Sequence, residues 1–130
     1  MTTSSGKTTP SVLERLRTLF GGQRADGRLG SKIKAAQALD LVRESGATVL
    51  DVREKSEWKT GHVAGAIHVA LGNIDQAPRR LHQDRPVIVM CASGMRSRTA
   101  AKHLRGLGYD AASLSGGMSA WQRAGGAVRR

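Results

Sequence analysis

The sequence has one cysteine in 130 residues, four aromatic side chains, and ten acidic residues against twenty-one lysines and arginines. A single cysteine forms no intramolecular disulfide and cannot build a cysteine-rich zinc or iron–sulfur cluster. A lone thiol fits a reducing compartment. The four histidines, His62, His68, His82 and His103, share no metal-ligand spacing, so no metal and no cofactor are expected. No run approaches the ~20 apolar residues that cross a bilayer. The apolar stretch near the N-terminus is broken by Glu14, Arg15 and Arg17, unlike a signal peptide. The expectation is a cytoplasmic protein with no transmembrane segment. Its length falls within the ~100–200 residues of a single domain, and 39% hydrophobic residues suffice for one core.

Negative charge is scarcest where the cysteine lies. The formal net charge is +11, and residues 91–130 hold seven basic residues with only Asp110 opposing them. Such a segment attracts anions. Nucleic acid is not the expected anion, because this segment has only Tyr109 and Trp121 as aromatic side chains for base stacking and spells out no nucleic-acid motif.

Residues 1–30 read as a disordered tail, a short amphipathic helix and a linker. Val12, Leu13, Leu16, Leu19 and Phe20 recur at helical spacing behind Ser11 as N-cap, and Gly21-Gly22 ends the run. That helix is short enough to be marginal alone. Docking on its own domain, on a partner or on an anionic membrane would each stabilise it. Residues 31–130 form the folded domain. Periodicity predicts helices over Ala35–Glu44, Glu54–Thr60, Gly72–Leu81, Ser97–Leu107 and Gly117–Ala124, with Leu104 and Leu107 facing in and Trp58 and Trp121 as core anchors. Strands are predicted at Thr48–Val52, Ala66–Val69, Pro86–Met90 and Ala111–Leu114. Val87–Met90 is apolar without alternation, as in a strand buried on both faces of a parallel sheet. Alternating strands and helices imply an α/β fold.

Active groups in such sheets gather beyond the carboxyl ends of the strands. Cys91 falls there, followed by Ala92, Ser93, Gly94, Met95, Arg96 and Ser97 before a helix. A strand–loop–helix turn of this kind points backbone N–H groups inward, and the helix N-terminus adds partial positive charge. A thiol inside that ring shifts toward thiolate, the nucleophilic form. Arg96 offers a planar cation to a tetrahedral anion. The bland alternative is that Cys91 is a small buried hydrophobe. Asp51 and Arg53 end the first long strand on the same edge, where they brace the loop or approach substrate. Arg98 adds to the entrance field or is plain surface.

Three segments together resemble the rhodanese (thiosulfate sulfurtransferase) homology domain, over about residues 31–126. They are Leu50–Glu54 with Glu57-Trp58 and Gly61–Ala66; Cys91–Ser97; and Leu114–Trp121. The resemblance implies a three-layer α/β/α fold with a mostly parallel sheet of about five strands. It also implies transfer of a sulfane sulfur through a Cys91 persulfide. The donor would be a small anion such as thiosulfate, and the acceptor cyanide, a small thiol or a protein cysteine. A persulfide relay between proteins is the alternative. Arg96 and the loop residues Ala92, Ser93, Gly94, Met95 and Ser97 would hold the sulfur's charge. Lys55 and Ala64 stand where the family often has proline, and Lys34 where it has a Ser or Thr cap. Related phosphatases use Cys-x5-Arg, whereas four residues separate Cys91 from Arg96. The smaller ring suits one extra sulfur better than a phosphoryl group.

Overall fold

Four consecutive side chains, Val87 to Met90, have no solvent-exposed surface, and the neighbouring strands and helices are arranged to cover them. The computed structural model describes residues 27–130. In chain order these contain β1 (Lys32–Ile33), α1 (Ala35–Ser45), β2 (Thr48–Asp51), α2 (Lys55–Thr60), β3 (His62–Val63), β4 (Ile67–His68), a 3₁₀ segment (Leu71–Arg80), β5 (Val87–Met90), α3 (Met95–Gly106), β6 (Ala111–Leu114), α4 (Gly117–Arg123) and β7 (Val128–Arg129). One sheet has the order β1-β6-β5-β2-β4, with every pairing parallel. A separate antiparallel ribbon joins β3 to β7. The apolar run is therefore the middle strand of five, as its lack of alternation requires. Among the described residues no helix is long and apolar enough to cross a membrane.

Side-chain alternation along β5 sorts the core into two layers. Ile88 and Met90 pack with Ala38, Leu39 and Leu41 of α1 and Trp121 of α4. Val87, Val89 and Cys91 pack on the other face with Ala100, Ala101 and Leu104 of α3 and Ala77 of the 3₁₀ segment. The result is an α/β/α sandwich in which Cys91 faces the helix that follows it. The same alternation sends Asp51 away from Cys91, because its register partner is Met90.

Several local expectations are corrected. Leu107 is 47% exposed rather than inward, because α3 ends at Gly106 and the chain leaves helical register there. Trp58 is only half-buried, and α2 buries no residue. Its indole instead stacks on His62 at 3.6 Å and on His68 at 4.9 Å between ring centroids. The helix expected at Gly72–Leu81 is a 3₁₀ segment interrupted at Asn73, with Pro78 removing one donor. Strands β1, β3, and β7 are two residues long, too short to show alternation in the sequence. The helix expected around Leu13–Phe20 lies outside the described residues. Leu29, at the end of the expected linker, is buried, and its N–H donates to Asp110 at 2.9 Å. Lys34 does occupy the N-cap of α1, where the amide side chain of Gln37 accepts its backbone N–H at 3.3 Å in place of a Ser or Thr cap.

Gly117, the first residue of α4, sets how closely that helix meets the loop after β5. A Cβ on Gly117 would lie 2.2 Å from the Ala92 carbonyl oxygen, and φ there is +58°. Gly117→Ala is expected to destabilise the fold by about 2–3 kcal/mol, combining backbone strain with overpacking. Gly46→Ala supplies the control: φ is +68° but nothing lies within 4 Å, so only the backbone cost of about 1 kcal/mol applies. Urea unfolding of the two variants separates the contributions, and equal losses would show that the close approach is not under pressure.

Candidate active site

Because β5 delivers Cys91 to the α3 side of the sheet, its sulfur lies inside the turn that starts α3. The Gly94 N–H donates to Cys91 Sγ at 3.0 Å and the Ser97 N–H at 3.4 Å, with Ser97 Oγ 3.5 Å away. Gly94 reaches this position at φ +115°, in the left-handed region that glycine tolerates. Burial pushes the Cys91 thiol up, but the Ser97 hydroxyl and the amides of Ser97, Gly94 and Ser93 outweigh it, and the net shift is downward. The loop's charge therefore favours thiolate at a sulfur with no exposed surface.

Ser97 has a second layer of support that the sequence did not advertise. Its Oγ lies 2.7 Å from the Ser113 hydroxyl and 3.1 Å from the Gly94 carbonyl oxygen. A hydroxyl has one proton. Whether Ser97 donates to the Gly94 carbonyl or to the sulfur, Ser113 can donate to Ser97. Ser113 is buried on β6, a strand otherwise made of Ala and Leu. One hydroxyl within an apolar strand was the available signal.

Arg96 does not stand alone at the loop. Its guanidinium grips Glu57 of α2 in a two-pronged pair, Nη1 to Oε1 at 2.6 Å and Nη2 to Oε2 at 3.0 Å. Glu57 Oε1 also accepts the Glu54 N–H at 2.9 Å. The Arg96 hydrogen bonds, helped by the Glu54 amide and opposed by burial, pull the Glu57 carboxyl down to about 2. Arg96 is in turn held further above its ordinary value, chiefly by Glu57 and in smaller part by the Cys91 charge. Glu57 appeared in the sequence only as a neighbour of Trp58. Of the remaining loop residues, Ala92 and Ser93 are exposed, and Met95 is 69% exposed at the rim.

Asp51 and Arg53 form a separate buried pair on the opposite face of the sheet. Arg53 Nε lies 3.0 Å from both carboxylate oxygens, and Nη2 lies 2.8 Å from Oδ2. Nη2 also donates to the Gly61 carbonyl at 2.7 Å, and His68 Nε2 donates to the Arg53 carbonyl at 2.7 Å. The pair thus ties the end of β2 to the turn after α2 and to β4. It touches neither Cys91 nor Arg96. Among the described residues no three His, Cys, Asp or Glu side chains converge as metal ligands.

The Glu57–Arg96 pair is about one-third exposed on each side. Its contribution therefore stays in the ~0.2–1 kcal/mol range of solvent-accessible pairs. A carboxyl lowered by folding stabilises above its ordinary value near 4.5, and that stability is lost as pH falls through about 2. Glu57→Gln is expected to be less stable than the parent at neutral pH, with the gap closing as pH falls from 4.5 toward 2. Urea midpoints across that range check this, and a pH-independent gap would assign the loss to packing.

Similarity to known proteins follows the same geometry. Residues 34–124 match the family described as Rhodanese-like domain. The chain is 43% identical over 88 residues to the thiosulfate sulfurtransferase GlpE of Pseudomonas fluorescens strain SBW25, covering 67% of this chain and 78% of that protein. It is 35% identical over 92 residues to GlpE of Pseudomonas putida strain GB-1, covering 70% and 84%. A rhodanese-related protein from Thermoplasma volcanium superposes with a TM-score of 0.68 at 32% identity, over 75% of this chain and 96% of that one. The parallel five-stranded sheet, the cysteine after its middle strand and the match over most of the chain agree: it belongs to the rhodanese family, as a single rhodanese-like domain related to the GlpE thiosulfate sulfurtransferases.

Proposed function

We propose that the chain is a thiosulfate sulfurtransferase that carries one sulfane sulfur as a persulfide on Cys91. The observation that carries this reading is the sulfur's surroundings: two backbone N–H groups and a hydroxyl converge on a buried thiol whose pKa is lowered. In the first half-reaction the Cys91 thiolate attacks the outer sulfur of thiosulfate. The sulfur–sulfur bond of the donor breaks, sulfite leaves with the bonding pair, and Cys91 keeps the outer sulfur and its negative charge. The loop amides stabilise that charge as an oxyanion hole stabilises an alkoxide. In the second half-reaction a thiophilic acceptor, such as cyanide or a thiol, takes the outer sulfur and Cys91 returns to thiolate. This alternation is the ping-pong pattern of covalent catalysis. No general base is needed, since attack of thiolate on sulfur moves no proton.

The two-pronged Glu57–Arg96 pair supports a second reading, a persulfide relay fed by another protein. With its guanidinium engaged by a carboxylate, Arg96 presents less charge to a dianion than a free arginine does. Turnover separates the readings: a relay loads from a persulfidated donor but turns over poorly with thiosulfate and cyanide.

Intact mass after incubation with thiosulfate is expected to show a gain of one sulfur atom, removed again by cyanide. Cys91→Ser is expected to keep the fold, gain no sulfur and lose turnover, because a hydroxyl is a far weaker nucleophile at this position. Turnover in the purified variant above a few per cent of the parent would remove Cys91 as the carrier.

A further inference from the structure

A cleft of about 200 Å³ opens between the Cys91 loop and the ends of β1 and β6, lined by Lys32, Ser93, Gly94, Met95, Arg98 and Ser115 among others. It shares a wall with the sulfur's surroundings. Gly94 lines the cleft and donates its N–H to Cys91 Sγ, while Ser113, also in the lining, bonds to Ser97. The cleft therefore lies beside the reacting sulfur, one residue away.

Its charge distinguishes it from the other side of the loop. There Arg96 is engaged by Glu57. Here Lys32 and Arg98 are exposed, and among the described residues neither has an ion-pair or side-chain hydrogen-bond partner. No acidic residue lines the cleft. Among the described residues, unopposed positive charge thus lines this cleft beside the loop, with the hydroxyls of Ser93 and Ser115 as further donors. Met95, 69% exposed, supplies an apolar wall. A cavity of about 150 Å³ holds benzene, so this one suits a small organic anion with a short carbon chain.

We propose that the cleft is the acceptor subsite and selects small thiols bearing carboxylates, with Lys32 and Arg98 as the residues that determine this specificity. The proposal rests on the sulfurtransferase reading and adds to it the class of acceptor. Thiosulfate itself fits the cleft poorly, because a single bond joins its outer sulfur to the sulfonate, whereas the cleft is offset from Sγ by Gly94. An acceptor with a spacer between anion and thiol bridges that offset. Anchored by its carboxylates, the acceptor thiol passes its proton to the negatively charged outer sulfur of the persulfide, and the thiolate so formed attacks that sulfur. The bond between the two sulfurs of the persulfide breaks, Cys91 leaves as thiolate, and the proton stays on the transferred sulfur in the product hydropersulfide.

The test loads the full-length protein with thiosulfate, removes excess donor and follows sulfur loss to mercaptosuccinate, 2-mercaptoethanol and cysteamine at matched thiolate concentrations. The expected kcat/KM for mercaptosuccinate exceeds that for the neutral thiol by about tenfold, equivalent to ~1.4 kcal/mol, and cysteamine ranks last. In Lys32→Gln/Arg98→Gln the preference is expected to fall to near unity through KM, with the 2-mercaptoethanol rate falling far less than the mercaptosuccinate rate. Equal rates for the three thiols in the parent, or an undiminished preference in the double variant, would overturn the proposal. A readout independent of sulfur transfer uses Cys91→Ser: titration with methylsuccinate is expected to shift the Gly94 and Ser115 amide resonances saturably, and no longer to do so once Lys32 and Arg98 are replaced. Absence of those shifts overturns the subsite even if Cys91 loads normally. Failure of Cys91 to gain sulfur overturns the sulfurtransferase reading instead and leaves the titration to decide the cleft.

Discussion

A sulfur that carries negative charge without exposed surface is stable only where donors replace the water it has lost. That constraint governs the surroundings of Cys91. Backbone N–H groups serve better than side chains, because a turn fixed by flanking elements holds them in place with little further loss of freedom. Here β5 fixes one end of the turn and α3 the other. Ser97 brings both its backbone N–H and its hydroxyl to the sulfur from one position, and Ser113 holds that hydroxyl from the neighbouring strand.

The alternation of side chains along the sheet then divides the charged groups by task. Cys91 and Ser113 point to the α3 face. Asp51, one strand over and in register with Met90, points to the other and closes on Arg53. A buried pair of this kind contributes little net stability compared with apolar packing, yet removing one partner costs about 3–5 kcal/mol because the other is stranded. Its structural effect is to join β2, β4 and the turn at Gly61. Glu57–Arg96 joins more distant parts of the chain and is about one-third exposed to solvent. It couples the small helix α2 to the loop and reduces the field that Arg96 projects.

Much of this was legible in the sequence, for identifiable reasons. Val87–Met90 announced a central strand because burial on both faces leaves no polar position. Cys91 stood out as the candidate because it follows that strand and precedes a glycine-bearing turn, whose amides do reach the sulfur. What stayed hidden lay in pairings between distant positions. Nothing in the order of residues links Glu57 to Arg96 or Ser113 to Ser97, since each partnership exists only once strands and helices are assembled. Trp58 was misread for a related reason. Its size suggested the core, but α2 sits at the rim, where two imidazole rings cover the indole instead. Leu107 followed the helical pattern of α3 one residue past the end of the helix.

The contact between Gly117 and the loop has a consequence for how this site can diversify. The carbonyls of Cys91 and Ala92 abut the first turn of α4, and Met118 donates its N–H to the Cys91 carbonyl at 3.2 Å. That half of the loop is clamped between a strand and a helix, so a lengthened or bulkier version of it has nowhere to go. The half from Ser93 to Met95 faces open space on its outer side. Substitutions that remodel the loop are therefore channelled into Ser93 and Met95, since the φ of +115° holds Gly94 to glycine, and the Cys91 sulfur keeps its location and its Gly94 donor while the outer rim is free to drift.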